Sequence, residues 1–125
     1  MYAYALLEYA DCCKDLQEDC EAVQAYTRSL QAFDWLLVKT SACDLYGYAG
    51  SAAYAANKLG QLLQQSGQMN LAKNTFQRAQ QYAKQSLDNA RTDQQKQTAQ
   101  ERQLFALHWR MVLDDESDLA QTASV

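Results

Sequence analysis

Proline is absent from this 125-residue chain, glycine occurs four times and histidine once. The usual helix breakers are nearly missing, while Ala, Gln and Leu, which favour helices, are plentiful. No run of 18 apolar residues occurs, so no membrane span is expected. The opening MYAYALLEYADCC is apolar but has no basic flank and meets Asp11 early, so no signal peptide is expected either. The chain reads as cytoplasmic, or as trimmed from something longer, since Tyr2 already falls in helical pattern. There is no C-x-x-C pair, and the single His108 stands far from the cysteines. A zinc site needs several converging N or S ligands, usually at short paired spacings, so neither a metal nor a cofactor is expected. Cys12, Cys13, Cys20 and Cys43 read as small buried hydrophobes, with Cys13 and Cys20 at the seven-residue spacing of core positions and Cys12 the expected exception, since its neighbour Cys13 takes the core position. A disulfide and a reactive thiol are the alternatives. No Ser/His/Asp or Cys/His arrangement and no phosphate loop is present, so no catalytic residues are expected and the chain is not read as an enzyme.

What the chain does have is length for one domain and an uneven charge. Residues 1–45 carry eight acids and three bases, net −5, whereas residues 46–113 carry three acids and eight bases, net +5. Residues 114–125, DDESDLAQTASV, add four acids. Solvated helix faces explain most such patterns, and a gradient that orients a partner or a second copy is the sharper reading. The bases are dispersed along an acidic protein, which argues against nucleic acid as a ligand.

Apolar residues recur at intervals of three and four almost throughout, which predicts an all-α fold. The first helix carries Ala3, Leu6, Leu7, Ala10 and Cys13, and Asp19 is a candidate cap for the second, which ends near Lys39. Ser41 with Asp44 marks the next start, and that helix is expected to run unbroken through Gly47 and Gly50 to Ser66-Gly67. Asn70 is a candidate cap for the fourth helix and Thr92 with Gln95 for the fifth. Very short turns make the five helices antiparallel neighbours. Residues 1–113 are expected to form one domain and 114–125 a flexible acidic tail.

Residues 53–86 carry a more specific pattern: Leu59-Gly60, then Leu63, a turn at Gly67, and Ala72, Phe76 and Ala79. This resembles the tetratricopeptide repeat, a 34-residue pair of antiparallel helices. The match departs at Ala56, where Trp is common, and at Lys84, where Pro is. Residues 3–36 look like a degenerate copy, with Leu6, Tyr9, Ala10 and Cys13 on the first helix and Ala22, Tyr26 and Ser29 on the second. The copies stand 50 residues apart. The surplus over the standard repeat is about four helical turns, read as about two extra turns on each of the two central helices. The fifth helix resembles the capping helix that closes such arrays. A plain helical bundle is the alternative.

The resemblance implies a concave groove lined by the first helix of each pair, which takes an extended peptide or a partner helix. Position by position it would offer Tyr4, Leu7, Asp11, Lys14 and Asp15 from the first copy and Tyr54, Asn57, Gln61, Gln64 and Gln65 from the second. Leu7 and Asp11 stand where the family's clamp for acidic chaperone tails would need Lys and Asn, so that ligand is not expected. The expected function is a non-enzymatic protein–protein interaction module, adaptor or chaperone-like, with a protein or peptide partner. The alternative is a helical assembly protein that works as a homodimer without a peptide groove.

Overall fold

The computed structural model describes residues 2–39 and 44–123, with side chains as far as Asp114. Five helices follow one another: α1 (Tyr2–Asp15), α2 (Asp19–Lys39), α3 (Leu45–Gln65), α4 (Met69–Asp88) and α5 (Asp93–Ala123). No strand occurs among the described residues, and the fold is all-α. Consecutive helices pack on one another, and α3 also meets α5. Gly47 and Gly50 do not interrupt α3, as expected. α2 and α3 have 21 residues each against 14 for α1, a difference of about two turns per helix. The backbone of α5 stays helical past residue 113, to Ala123.

The two hairpins repeat each other at an offset of 50 residues, down to single hydrogen bonds. After α1, the Gln17 N–H donates to the Lys14 carbonyl at 3.0 Å and the Glu18 N–H to the Cys13 carbonyl at 2.8 Å. After α3, Gly67 N–H donates to Gln64 at 3.1 Å and Gln68 N–H to Leu63 at 2.9 Å. Both are Schellman closures, which need one residue in the left-handed region. Gly67 takes it with φ 84°, and Gln17, a residue with a Cβ, takes it with φ 62°. The offset read from the sequence is therefore the offset of the fold.

Helix starts match less closely. Asp19 is the first residue of α2 rather than its cap, and α4 begins at Met69, so Asn70 lies inside the helix. Gln68 precedes α4 and makes no side-chain cap bond, nor does Asp44 before α3. Packing of the hairpins, rather than capping, holds these starts. Thr92 does cap α5: its Oγ1 accepts from Gln95 N–H at 3.1 Å, while Gln95 Oε1 accepts from Arg91 N–H at 2.8 Å. Ser41 lies outside the described residues.

The core is centred on α3, whose Ala49, Ala52, Ala53, Ala55, Ala56 and Gly60 are buried and let neighbouring helices close in. Tyr26 and Phe33 from α2 and Phe76 from α4 fill the space between them, each fully buried. Phe76 stacks on Trp109 of α5, with ring centroids 6.0 Å apart and planes within 8°. Phe76 thus joins its own hairpin to the last helix. One hydroxyl ties the start of each hairpin: Ser29 Oγ donates to the Ala3 carbonyl at 3.1 Å and Ser86 Oγ to that of Tyr46 at 3.0 Å.

Cys20 departs from expectation. Cys13 is buried, but Cys12 and Cys20 are exposed. The seven-residue spacing of Cys13 and Cys20 spans the turn at Gln17, so the two residues lie on different helices and share no face. Cys43 lies outside the described residues.

Candidate functional site

The side of the molecule shared by α1, α3 and α5 holds most of the polar side chains expected to line a groove. On α3, Ser51, Tyr54, Lys58 and Gln61 recur at three and four and are half-buried on one stripe. On α1, Tyr4 and Asp11 lie seven apart and turn toward that stripe. Ser51 Oγ donates to the Tyr4 hydroxyl at 3.3 Å, and Tyr4 packs edge-on against Phe33 at 5.2 Å and tilted against Tyr48 at 6.3 Å.

Asp11 is the polar centre of the α1 wall. Its carboxylate accepts a short hydrogen bond from the Tyr26 hydroxyl and another from Tyr54 at 3.2 Å. Burial, and then the neighbouring carboxylate, push both phenols above the usual tyrosine range, so both stay protonated donors. Lys58 lies 5.4 Å from the Tyr54 ring centroid. Burial, and then repulsion from Lys14, hold Lys58 below the usual lysine range. A like charge and a partly dry setting at one position make a cation that gains from an incoming anion.

Between α3 and α5 opens a cleft of about 230 Å³, lined by Tyr54, Asn57, Lys58, Gln61, Glu101, Arg102 and Phe105. Asn57 is 7% exposed. Its Nδ2 donates to the Arg102 carbonyl at 3.4 Å, and its Oδ1 has no hydrogen-bond partner. A flipped amide would set oxygen against oxygen at Arg102, so the orientation is fixed by that carbonyl. A buried acceptor without a donor is costly to the fold.

The expected groove residues thus fall into groups. Tyr54, Asn57 and Gln61 share the α3–α5 cleft, and Asp11 joins them through Tyr54. Tyr4 stands in its own aromatic cluster nearer the start of α1. Gln64 is half-buried. Leu7 is a correction: it turns into the core, 9% exposed, because it lies on the α1 face that packs with Ala3, Ala10 and Cys13. Gln65 is the second correction: it is the exposed last residue of α3 and lines a different cleft with Asp19, Cys20 and Val23 at the start of α2. Lys58, Glu101, Arg102 and Phe105 were not foreseen as site residues. The i, i+4 pair Glu101 and Phe105, straddling the switch of the last helix from polar to apolar, is the signal that marks them.

Among the described residues no group of three His, Cys, Asp or Glu is placed to hold a metal ion, and no helix is long and apolar enough to cross a membrane. Fold and site together define an all-α array of antiparallel helical hairpins with a polar, aromatic-flanked cleft. No family model matches the chain, and no curated protein or solved structure matches it.

Proposed function

We propose that the chain is a tetratricopeptide-like, non-enzymatic interaction module that takes a peptide or partner helix along α1, α3 and α5. One observation carries the reading: the α3–α5 cleft sets the Gln61 amide beside Phe105, 39% exposed, which supplies an apolar surface. Amides donate and accept, which suits a peptide backbone, and a half-exposed aromatic suits an apolar anchor beside it. Lys58 and Arg102 favour an acidic group next to that anchor.

A peptide-display selection tests this. Peptides recovered on the native protein are expected to carry an apolar residue next to an acid. Their binding should drop at least about tenfold, or about 1.4 kcal/mol, on Gln61→Ala with Phe105→Ala. The matched pair Gln77→Ala with Gln81→Ala, exposed on α4, should leave binding intact. The opposite pattern would move the working surface to α4 and overturn the assignment.

A further inference from the structure

The side of α1 turned away from the core carries a second apolar seam. Tyr2, Ala5, Tyr9, Cys12 and Leu16 recur at alternating steps of three and four, and all five are exposed. Tyr2 is 70%, Tyr9 52% and Leu16 71% exposed. That alternation is the period of a helix–helix seam, and a helix apolar on both sides is ordinarily covered on both. The internal repeat says what such a face does. At the 50-residue offset Tyr2, Ala5, Tyr9 and Cys12 correspond to Ala52, Ala55, Leu59 and Leu62 of α3, all buried. α3 has α2 packed before it. Among the described residues no helix packs on the corresponding face of α1.

Beside this seam, at the start of α1, lies an open cleft of about 630 Å³. Tyr2, Ala3, Ala32, Trp35 and Leu36 line it, and Arg28 is the one charged residue among the described residues of its walls. Trp35 is 62% exposed. At the other end of the seam, Leu16 projects from the α1–α2 turn among Asp15, Glu18 and Asp19. One end is thus an apolar hole with a cation, and the other an apolar knob with anions.

We propose that a second copy of this chain docks on the α1 seam, with a two-fold axis passing at Tyr9. Tyr9 stands seven residues from Tyr2 and seven from Leu16, so hole and knob lie equally far, about 10 Å, on either side of the axis. The seam also reads large, small, large, small, large in both directions about Tyr9. Antiparallel packing therefore sets Tyr9 on Tyr9, Ala5 on Cys12 of the second copy, and Tyr2 on its Leu16. The second copy's Leu16 then arrives at the cleft rimmed by Tyr2, and its acidic turn arrives at Arg28. The same contacts repeat across the axis, so the assembly closes at two chains. This surface is separate from the α3–α5 cleft and does not depend on the function assigned to it.

Cross-linking gives a sharp test. Two Cys12 residues would lie about 9 Å apart along the helix axes, beyond the about 7 Å reach of a disulfide, whereas residue 5 lies opposite Cys12. Under a mild oxidant, Ala5→Cys should run as a covalent two-chain species, and Ala5→Cys with Cys12→Ser should not. The native protein should sediment at twice the chain mass, and Leu16→Asp, an exposed change, should sediment as one chain with its helical content unchanged. Phe105→Ala should stay at two chains. A native protein that sediments as one chain overturns the proposal, and so does a Leu16→Asp variant that stays at two or an Ala5→Cys variant that forms no Cys12-dependent cross-link.

Discussion

The Phe76 ring lies 2.7 Å, at its nearest atom, from the point where a Cβ on Gly60 would sit. Two further ring atoms are within 2.9 Å, so the glycine is a seat for the aromatic and not a flexible joint. Phe76 in turn stacks on Trp109, and one contact therefore binds α3, α4 and α5. Because Phe76 is fully buried, Phe76→Ala should cost about 3–5 kcal/mol. Gly60→Ala forces the ring aside and should cost about 1–3 kcal/mol, although alanine is the better helix former. Denaturant midpoints measure both, and a stabilising Gly60→Ala would show that the ring can move freely.

The repeated turn offers a reciprocal test. Gln17 and Gly67 close equivalent helices with the same hydrogen bonds and the same left-handed backbone. A residue with a Cβ at that conformation costs about 1–2 kcal/mol, whereas glycine adopts it freely. Gln17→Gly should therefore raise stability by about 1 kcal/mol, and Gly67→Gln should lower it by a similar amount. Equal and opposite shifts in unfolding free energy are the expected result.

How far the sequence spoke depended on the range of the interaction. Helix number, the unbroken α3, the turn at Gly67 and the 50-residue offset were all readable, because they rest on local periodicity and on Gly60, Phe76 and Gly67. The positions of Leu7 and Gln65 were not, because each depends on how far a helix is rotated against its neighbours. Cys20 failed for a related reason: its heptad spacing from Cys13 has no meaning across a turn. The contribution of Glu101, Arg102 and Phe105 was hidden because a capping helix was read only as a lid.

The tyrosine–carboxylate pairs make stability fall in alkali. Tyr82 donates a short hydrogen bond to Asp34, which also pairs with Arg78 at 2.9 Å, and Tyr82 is pushed up to about 12, chiefly by burial and then by Asp34. A phenol raised in the folded state contributes its full stability below the unfolded value near 10 and loses it as pH climbs through 12. The unfolded chain has released its proton over that range while the folded chain still holds it. Unfolding free energy should therefore decline between about pH 10 and 12, by roughly 2–3 kcal/mol from this residue. Tyr82→Phe should be less stable at neutral pH and lose less over the same window.

Asn57 sets folding against binding. Its Nδ2 reaches the Arg102 carbonyl only at 3.4 Å, and its buried Oδ1 has no donor, so the side chain gives the fold little and costs it an unmet acceptor. An apolar side chain of similar size removes that cost, which is of order 1–3 kcal/mol. The Arg102 carbonyl lies within α5 and does not rely on Asn57. Asn57→Leu should therefore leave the denaturant midpoint unchanged or raise it, while peptides selected on the native protein lose most of their binding. Asn57→Asp should destabilise, because it buries a charge beside that carbonyl. A Leu variant that is clearly less stable would mean that the acceptor is satisfied within the fold, and one that keeps its peptides would remove Asn57 from the binding surface.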